Sequence, residues 1–251
     1  MEQGDDFVFS STDQFQIDES LGKGAFGQVF RIRSKSLSKQ YAMKRIEFDG
    51  ITQAMRRMAL CEGYFLKQLQ HEHIVSFHGC FSSGGIGYLV MELFAAGTMK
   101  KLIKQRRGMH FLEVEIAKWM GQFATALKYC HFKHVIHRDL KSEHLYVDAL
   151  GQLKLGGFGF ARSEDVKTDE REELIGTPTH MAPELWLDVV GSNHAYNRLT
   201  DIWAYGVCCY EIANLALPVS SLNFEISKKM FFFSFYQQSL NILQTLKQCR
   251  T

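Results

Sequence analysis

The chain has 251 residues, 29 lysines and arginines against 27 acids, a net charge of +2, 46% hydrophobic and 22% charged residues. These values exclude wholesale disorder and a coiled coil, and the near-neutral balance gives no reason to expect a nucleic-acid partner. The length suits one large domain or two lobes, with enough core to fold without staples.

In chain order, Gln28 to Arg33 alternates polar and apolar residues, which predicts a half-buried strand, and Tyr41 to Ile46 predicts a second. Ala54 to Gln70 turns helical, with Met58, Cys61, Phe65 and Leu69 at spacings of three and four. Ile74 to Cys80 and Ile86 to Leu93 return to strand, separated by Ser82-Ser83-Gly84-Gly85. After Gly97 the pattern is mainly helical, and Ile116, Met120, Phe123, Leu127 and Cys130 mark one face of a long helix. A loop-rich stretch runs from Val135 to about Glu184. Asp201 to Ala216 is apolar nearly all round and predicts a helix buried in a large core. A strand-rich first part and a helix-rich second part predict an α+β fold of two lobes with a cleft between them.

The six cysteines are Cys61, Cys80, Cys130, Cys208, Cys209 and Cys249, with no CxxC pair or zinc spacing. Reduced thiols in a cytoplasmic or nuclear protein are expected. The acidic start carries no signal-peptide pattern, and no run reaches the ~18 apolar residues that cross a bilayer.

Gly22-Lys23-Gly24-Ala25-Phe26-Gly27 fits GxGxxG, a spacing that lets backbone N–H groups approach phosphates. A dinucleotide fold needs a helix after the last glycine, but here the chain alternates as a strand. A glycine-tipped hairpin, then Val29, then Lys44 on the next strand, resembles the protein-kinase arrangement. The resemblance continues: Tyr41-Ala42-Met43-Lys44 resembles the VAIK strand, and Glu62 lies where the family's helix glutamate pairs with that lysine. His137-Arg138-Asp139-Leu140-Lys141 is similar to the catalytic loop, Gly157-Phe158-Gly159 holds the DFG position, and Met181-Ala182-Pro183-Glu184 matches APE. Asp201-Ile202-Trp203 resembles the start of the buried helix that anchors the loop. The match covers about residues 15–218.

The resemblance implies a two-lobed Ser/Thr-type kinase fold: residues 1–14 an N-terminal extension, 15–93 an N-lobe, 94–218 a partial C-lobe and 219–251 an atypical tail. It implies an ATP site made of Leu21, Gly22, Lys23, Gly24, Ala25, Phe26, Gly27, Val29, Ala42, Lys44, Glu62, Met91, Glu92, Leu93 and Tyr146. Met91 holds the gatekeeper position, Glu92-Leu93 begin the hinge, and Tyr146 replaces an aliphatic floor, which would narrow the pocket. Lys44 would grip the α/β-phosphates, Asp139 would accept the hydroxyl proton, and Lys141 is the lysine of the Ser/Thr type.

Both metal-ligand positions depart from the family. Gly157 stands in place of the DFG aspartate and His144 in place of the catalytic-loop asparagine. Hard cations take oxygen ligands, so magnesium is doubtful while ATP is expected. A pseudokinase acting on a protein client or a partner kinase is one expectation. Weak or metal-independent phosphotransfer is another, because Lys154 to Gly159 resembles the kinase-like domain of a synaptic scaffold of the membrane-associated guanylate kinase group. A truncated, nonproductive form is a third, because no motif is recognisable after Pro218. Ser163, Thr168 and Thr177 are hydroxyls of the expected activation segment, where Arg138 would pair with a phosphate. The basic run Lys100 to Arg107 is expected to be a solvated helix face.

Overall fold

The computed structural model describes residues 9–24, 27–165, 175–187 and 196–218. Ala25, Phe26, Thr168, Cys249 and the tail 219–251 lie outside these residues.

The N-lobe is built on a sheet of β1 (Phe15–Gly24), β2 (Gly27–Ser34), β3 (Gln40–Glu47), β4 (Phe77–Ser83) and β5 (Ile86–Met91). Its order is β1-β2-β3-β5-β4, with every neighbouring pair antiparallel. Helix α1 (Gln53–Gln68) crosses between β3 and β4. The period of two in Tyr41-Ala42-Met43-Lys44 sends alternate side chains to opposite faces. Ala42 joins the core that includes Phe65 and Leu66 of α1, whereas Tyr41 and Met43 join a separate outer cluster.

The C-lobe comprises α2 (Met99–Gln105), α3 (Glu113–Phe132), the short strands β6 (Val135–Ile136), β7 (Leu145–Val147), β8 (Leu153–Leu155) and β9 (Arg162–Ser163), then α4 (Pro183–Leu187) and α5 (Arg198–Asn214). The loop-rich stretch expected after Val135 is organised by two small antiparallel pairs, β6 with β9 and β7 with β8. Side chains of α3, including Phe123, Ala126, Leu127 and Cys130, share one core with Leu153 and Leu155 of β8 and with Cys208 and Ile212 of α5. Each such large side chain contributes roughly 1.5–3 kcal/mol of burial.

Several sequence expectations shift. Ile74 and Val75 do not begin β4; Ile74 bridges Leu155 in parallel, and the Val75 N–H donates to the Leu155 carbonyl at 2.9 Å, tying the lobes together. Helix α5 starts earlier than expected, because the Asn197 side chain accepts from the Leu199 N–H at 2.8 Å and caps it. It is also not buried all round: Leu199 and Ile202 are 69% and 50% exposed, so its apolar circumference overstates its burial. The basic run is a solvated face at Lys101, Lys104 and Arg107, with exceptions at Lys100 and Arg106. Lys100 pairs with the buried Glu211 at 2.5 Å, and the Arg106 guanidinium donates to the Met109 and His110 carbonyls while lying over the Phe111 ring.

Among the described residues no helix is long and apolar enough to cross a membrane. Cys61, Cys80, Cys130, Cys208 and Cys209 carry no disulfide.

Candidate active site

The glycine hairpin frames one side of the cleft. Lys23 pairs with Gln28 and Gly24 with Gly27 across β1 and β2, so Leu21, Gly22, Lys23 and Gly24 lie on one arm and Gly27 and Val29 on the other. Val29 is half-buried and packs against the cluster that holds Ala42. Ala42 lies opposite Met91 in the β3–β5 register, and both are buried.

Lys44 stands on β3 and Glu62 on α1. Their side chains meet at 2.7 Å and both are largely buried. Burial alone pushes the Glu62 carboxyl up; the Lys44 charge and hydrogen bond, with smaller help from His144 and His137, outweigh it and hold the group below its ordinary value. Removing either partner would strand a charge away from water, which is the costly way to break such a pair.

At the hinge, the Glu92 carboxylate accepts from Lys154 Nζ at 2.8 Å and from Ser76 Oγ at 3.0 Å, and Leu93 packs half-buried on the core. The Tyr146 ring stacks on Phe94 at 5.0 Å with an interplanar angle of 29°. Burial first, and the Glu62 charge second, push its phenol up.

The catalytic-loop segment hangs from one carboxylate. Asp201, 1% exposed on α5, accepts from the His137 N–H at 2.8 Å, the Arg138 N–H at 2.9 Å and the His131 ring at 2.9 Å. Arg138 is left-handed at φ +67°, a conformation this clamp holds in place. Its Nε donates to the Phe160 carbonyl at 2.7 Å.

Asp139, Lys141 and Thr177 close a triangle. Lys141 Nζ meets Asp139 Oδ2 at 2.8 Å and donates to Thr177 Oγ1 at 2.9 Å, while Thr177 Oγ1 donates to Asp139 Oδ1 at 2.6 Å. Burial opposes ionisation of Asp139; His144, Lys141 and the Thr177 hydroxyl outweigh it, and the carboxyl lies below its ordinary value. Thr177 is one of the three candidate hydroxyls of the expected activation segment. Its hydroxyl is instead committed to the loop, where a phosphate would set more negative charge against Asp139.

The two departures from the family pattern meet in space. Gly157 adopts φ +77°, and the three atoms nearest to a Cβ built on it all belong to the His144 imidazole, at distances that real Cβ atoms do not show. The ring therefore occupies the volume into which an aspartate at Gly157 would grow. His144 Nδ1 lies 2.8 Å from the Asp139 carbonyl oxygen, and a carbonyl can only accept, so Nδ1 carries the proton. Burial first pushes the imidazole down to about 4 against the pull of Asp139, so it is neutral near pH 7. At that pH it lends Asp139 no charge, and Lys141 and Thr177 hold the carboxylate. Of the two positions expected to ligate magnesium, Gly157 has no side chain and His144 presents a neutral ring bonded to the backbone, whereas hard cations take oxygen ligands. No cluster of three or more His, Cys, Asp or Glu side chains suited to a metal occurs among the described residues.

The family profile described as Protein kinase domain matches residues 15–248. The chain belongs to the protein kinase family. It is 35% identical over 196 residues to mouse serine/threonine-protein kinase Nek4, covering 78% of this chain and 24% of that protein. It is 32% identical over 214 residues to human serine/threonine-protein kinase Nek5, covering 85% and 30%. Mouse serine/threonine-protein kinase Nek3 is 32% identical over 207 residues, covering 82% and 39%. The kinase-like chain thus spans between about a quarter and two fifths of these relatives, all of Ser/Thr type.

Proposed function

We propose that this Ser/Thr protein-kinase-like chain binds ATP without needing magnesium, transfers phosphate poorly, and acts as a regulator or scaffold by binding a protein client or a partner kinase. The observation that carries this reading is the His144 ring filling the space beside Gly157. Lys44 would take the α/β-phosphates, with the glycine hairpin over them and the adenine between Val29, Ala42 and Tyr146 beside Met91, Glu92 and Leu93. Phosphoryl transfer depends on positioning and on neutralising phosphate charge. Without metal ions, the triphosphate would face little positive charge beyond Lys44 and Lys141. A missing metal removes several kcal/mol of transition-state stabilisation, and each ~1.4 kcal/mol is tenfold in rate. The cysteine usage favours a cytoplasmic setting.

A second reading, weak metal-independent phosphotransfer, is favoured by the Lys44–Glu62 pair at 2.7 Å and the intact Asp139–Lys141–Thr177 triangle. Incubation with ATP, followed by intact mass over hours in magnesium and in EDTA beside Lys44→Ala, separates the readings. The pseudokinase gains no phosphate on a folded sample. Gain by wild type but not by Lys44→Ala, persisting in EDTA, establishes the second reading. Gain in magnesium alone sinks both.

A further inference from the structure

We propose that the outer face of the N-lobe sheet is a docking notch for an aromatic side chain carried on a chain segment, and that the chain's own Phe9 fills it. The period of two on β3 that points Ala42 and Lys44 to the cleft points Tyr41 and Met43 away from it. With Phe15, Ile32 and Val90 they make an apolar floor, and such a floor on the solvent side of a sheet calls for a cover.

Phe9 supplies the cover. Its side chain is 0% exposed, although it lies six residues before β1 and follows the acidic pair Asp5-Asp6. Its ring meets Tyr41 edge-on at 5.0 Å and Phe15 at 6.0 Å, the T-shaped geometry aromatic pairs favour. Its N–H donates to the His78 carbonyl at 2.8 Å. His78 lies on β4, the edge strand of the sheet, so this bond ties the segment to an open edge.

The edge is cut to receive it. The β4–β5 register slips between Phe77 and Gly79, and Gly79 takes φ +154°. A Cβ there would collide with the Phe9 backbone, approaching its nitrogen and its Cβ to 2.8 Å. The bulge and the missing side chain together form the notch.

The strap can leave without dragging the sheet with it. Between Phe9 and β1 the chain makes a turn in which Gln14 Oε1 accepts from the Ser10 N–H at 2.7 Å and the Ser11 N–H at 2.9 Å, and the Gln14 carbonyl accepts from the Lys35 N–H at 3.0 Å, anchoring the turn beside the end of β2. Opening at Phe9 therefore breaks its aromatic contacts and its edge hydrogen bond while β1 stays paired with β2. A peptide that carries the same phenylalanine competes for the same place.

The test uses the full chain carrying Phe9→Ala and a fluorescent peptide of residues 5–13. A Phe→Ala cavity of this kind lowers Tm by roughly 5–15 °C. The peptide should bind the variant at least about tenfold tighter than wild type, whose notch is occupied, and raise the variant's Tm. The same peptide with alanine for Phe9 should do neither. Equal binding to both proteins, no binding to the variant, or an unchanged Tm overturns the proposal. Hydrogen exchange on wild type keeps it testable if the variant does not fold. The Phe9 amide should be protected yet exchange faster than the β3 amides, by local opening. Exchange at the global unfolding rate would make Phe9 fixed core rather than a docked strap, and no protection would mean it is not docked.

Discussion

Two halves of the same cleft differ in how much of the kinase pattern they keep. One half is assembled: Lys44 meets Glu62 at 2.7 Å, and Asp139 is held by Lys141 at 2.8 Å and Thr177 at 2.6 Å. The other half is filled: the His144 imidazole stands where a side chain at Gly157 would go. The contrast teaches that the two departures are one structural change. A lone glycine at 157 would leave a void, and a lone histidine at 144 would overlap an aspartate; together they pack.

The sharpest way to break the contrast is to undo both changes. The double variant Gly157→Asp with His144→Asn should gain magnesium-dependent autophosphorylation by roughly 10³-fold, about 4 kcal/mol, followed by phosphate incorporation. Gly157→Asp alone should gain nothing and lose about 1–3 kcal/mol of stability in urea, because its side chain runs into the ring. A single variant as active as the double would mean the ring is not the obstacle.

A second variant tests the frame shared by both halves. Asp201→Ala leaves the His137 and Arg138 N–H groups without their acceptor in a buried site. We expect a loss of about 3 kcal/mol in chemical denaturation. A loss below about 1 kcal/mol would show that the loop is held elsewhere.

Much of this was legible in the sequence, for reasons that differ by residue. The strands β2 and β3 show as period-two alternation, and α3 as a repeating apolar face. The site residues came through motif spacing, which fixes positions along the chain but not distances. Hence Gly157 and His144 could each be identified as departures, while their contact could not: 13 positions separate them, and a left-handed turn at Gly157 brings them together. Thr177 was visible as a hydroxyl, but its bond to Asp139 depends on how the segment folds back. Phe9 was not legible, because Phe7-Val8-Phe9 after the acidic start is too short a run to predict an element or to show what it covers. Lys100 read as one of a charged run, whereas its partner Glu211 lies 111 residues away.

The smallest expected effect is a pH slope from the filled half. The His144 ring is pushed down to about 4 when folded, so the unfolded chain takes up that proton more readily. Its contribution to stability is complete above about pH 6.5 and is lost as pH falls from there towards 4. His144→Asn should flatten the fall in this window by on the order of 2 kcal/mol relative to wild type, read from urea melts at stepped pH. Equal slopes in the two proteins would mean the imidazole protonates freely in the fold. His71, His78 and His180 are also pushed down, chiefly by burial, so the comparison rests on the difference between proteins.

The central claim, that the imidazole fills the place of a metal-ligating side chain at Gly157 and leaves ATP binding independent of magnesium, is tested most directly by titrating ATP into the wild-type chain in magnesium and in EDTA. The account predicts dissociation constants that agree within roughly threefold, about 0.6 kcal/mol. Tightening by magnesium of tenfold or more would show that a metal ion still enters the cleft, and would contradict it.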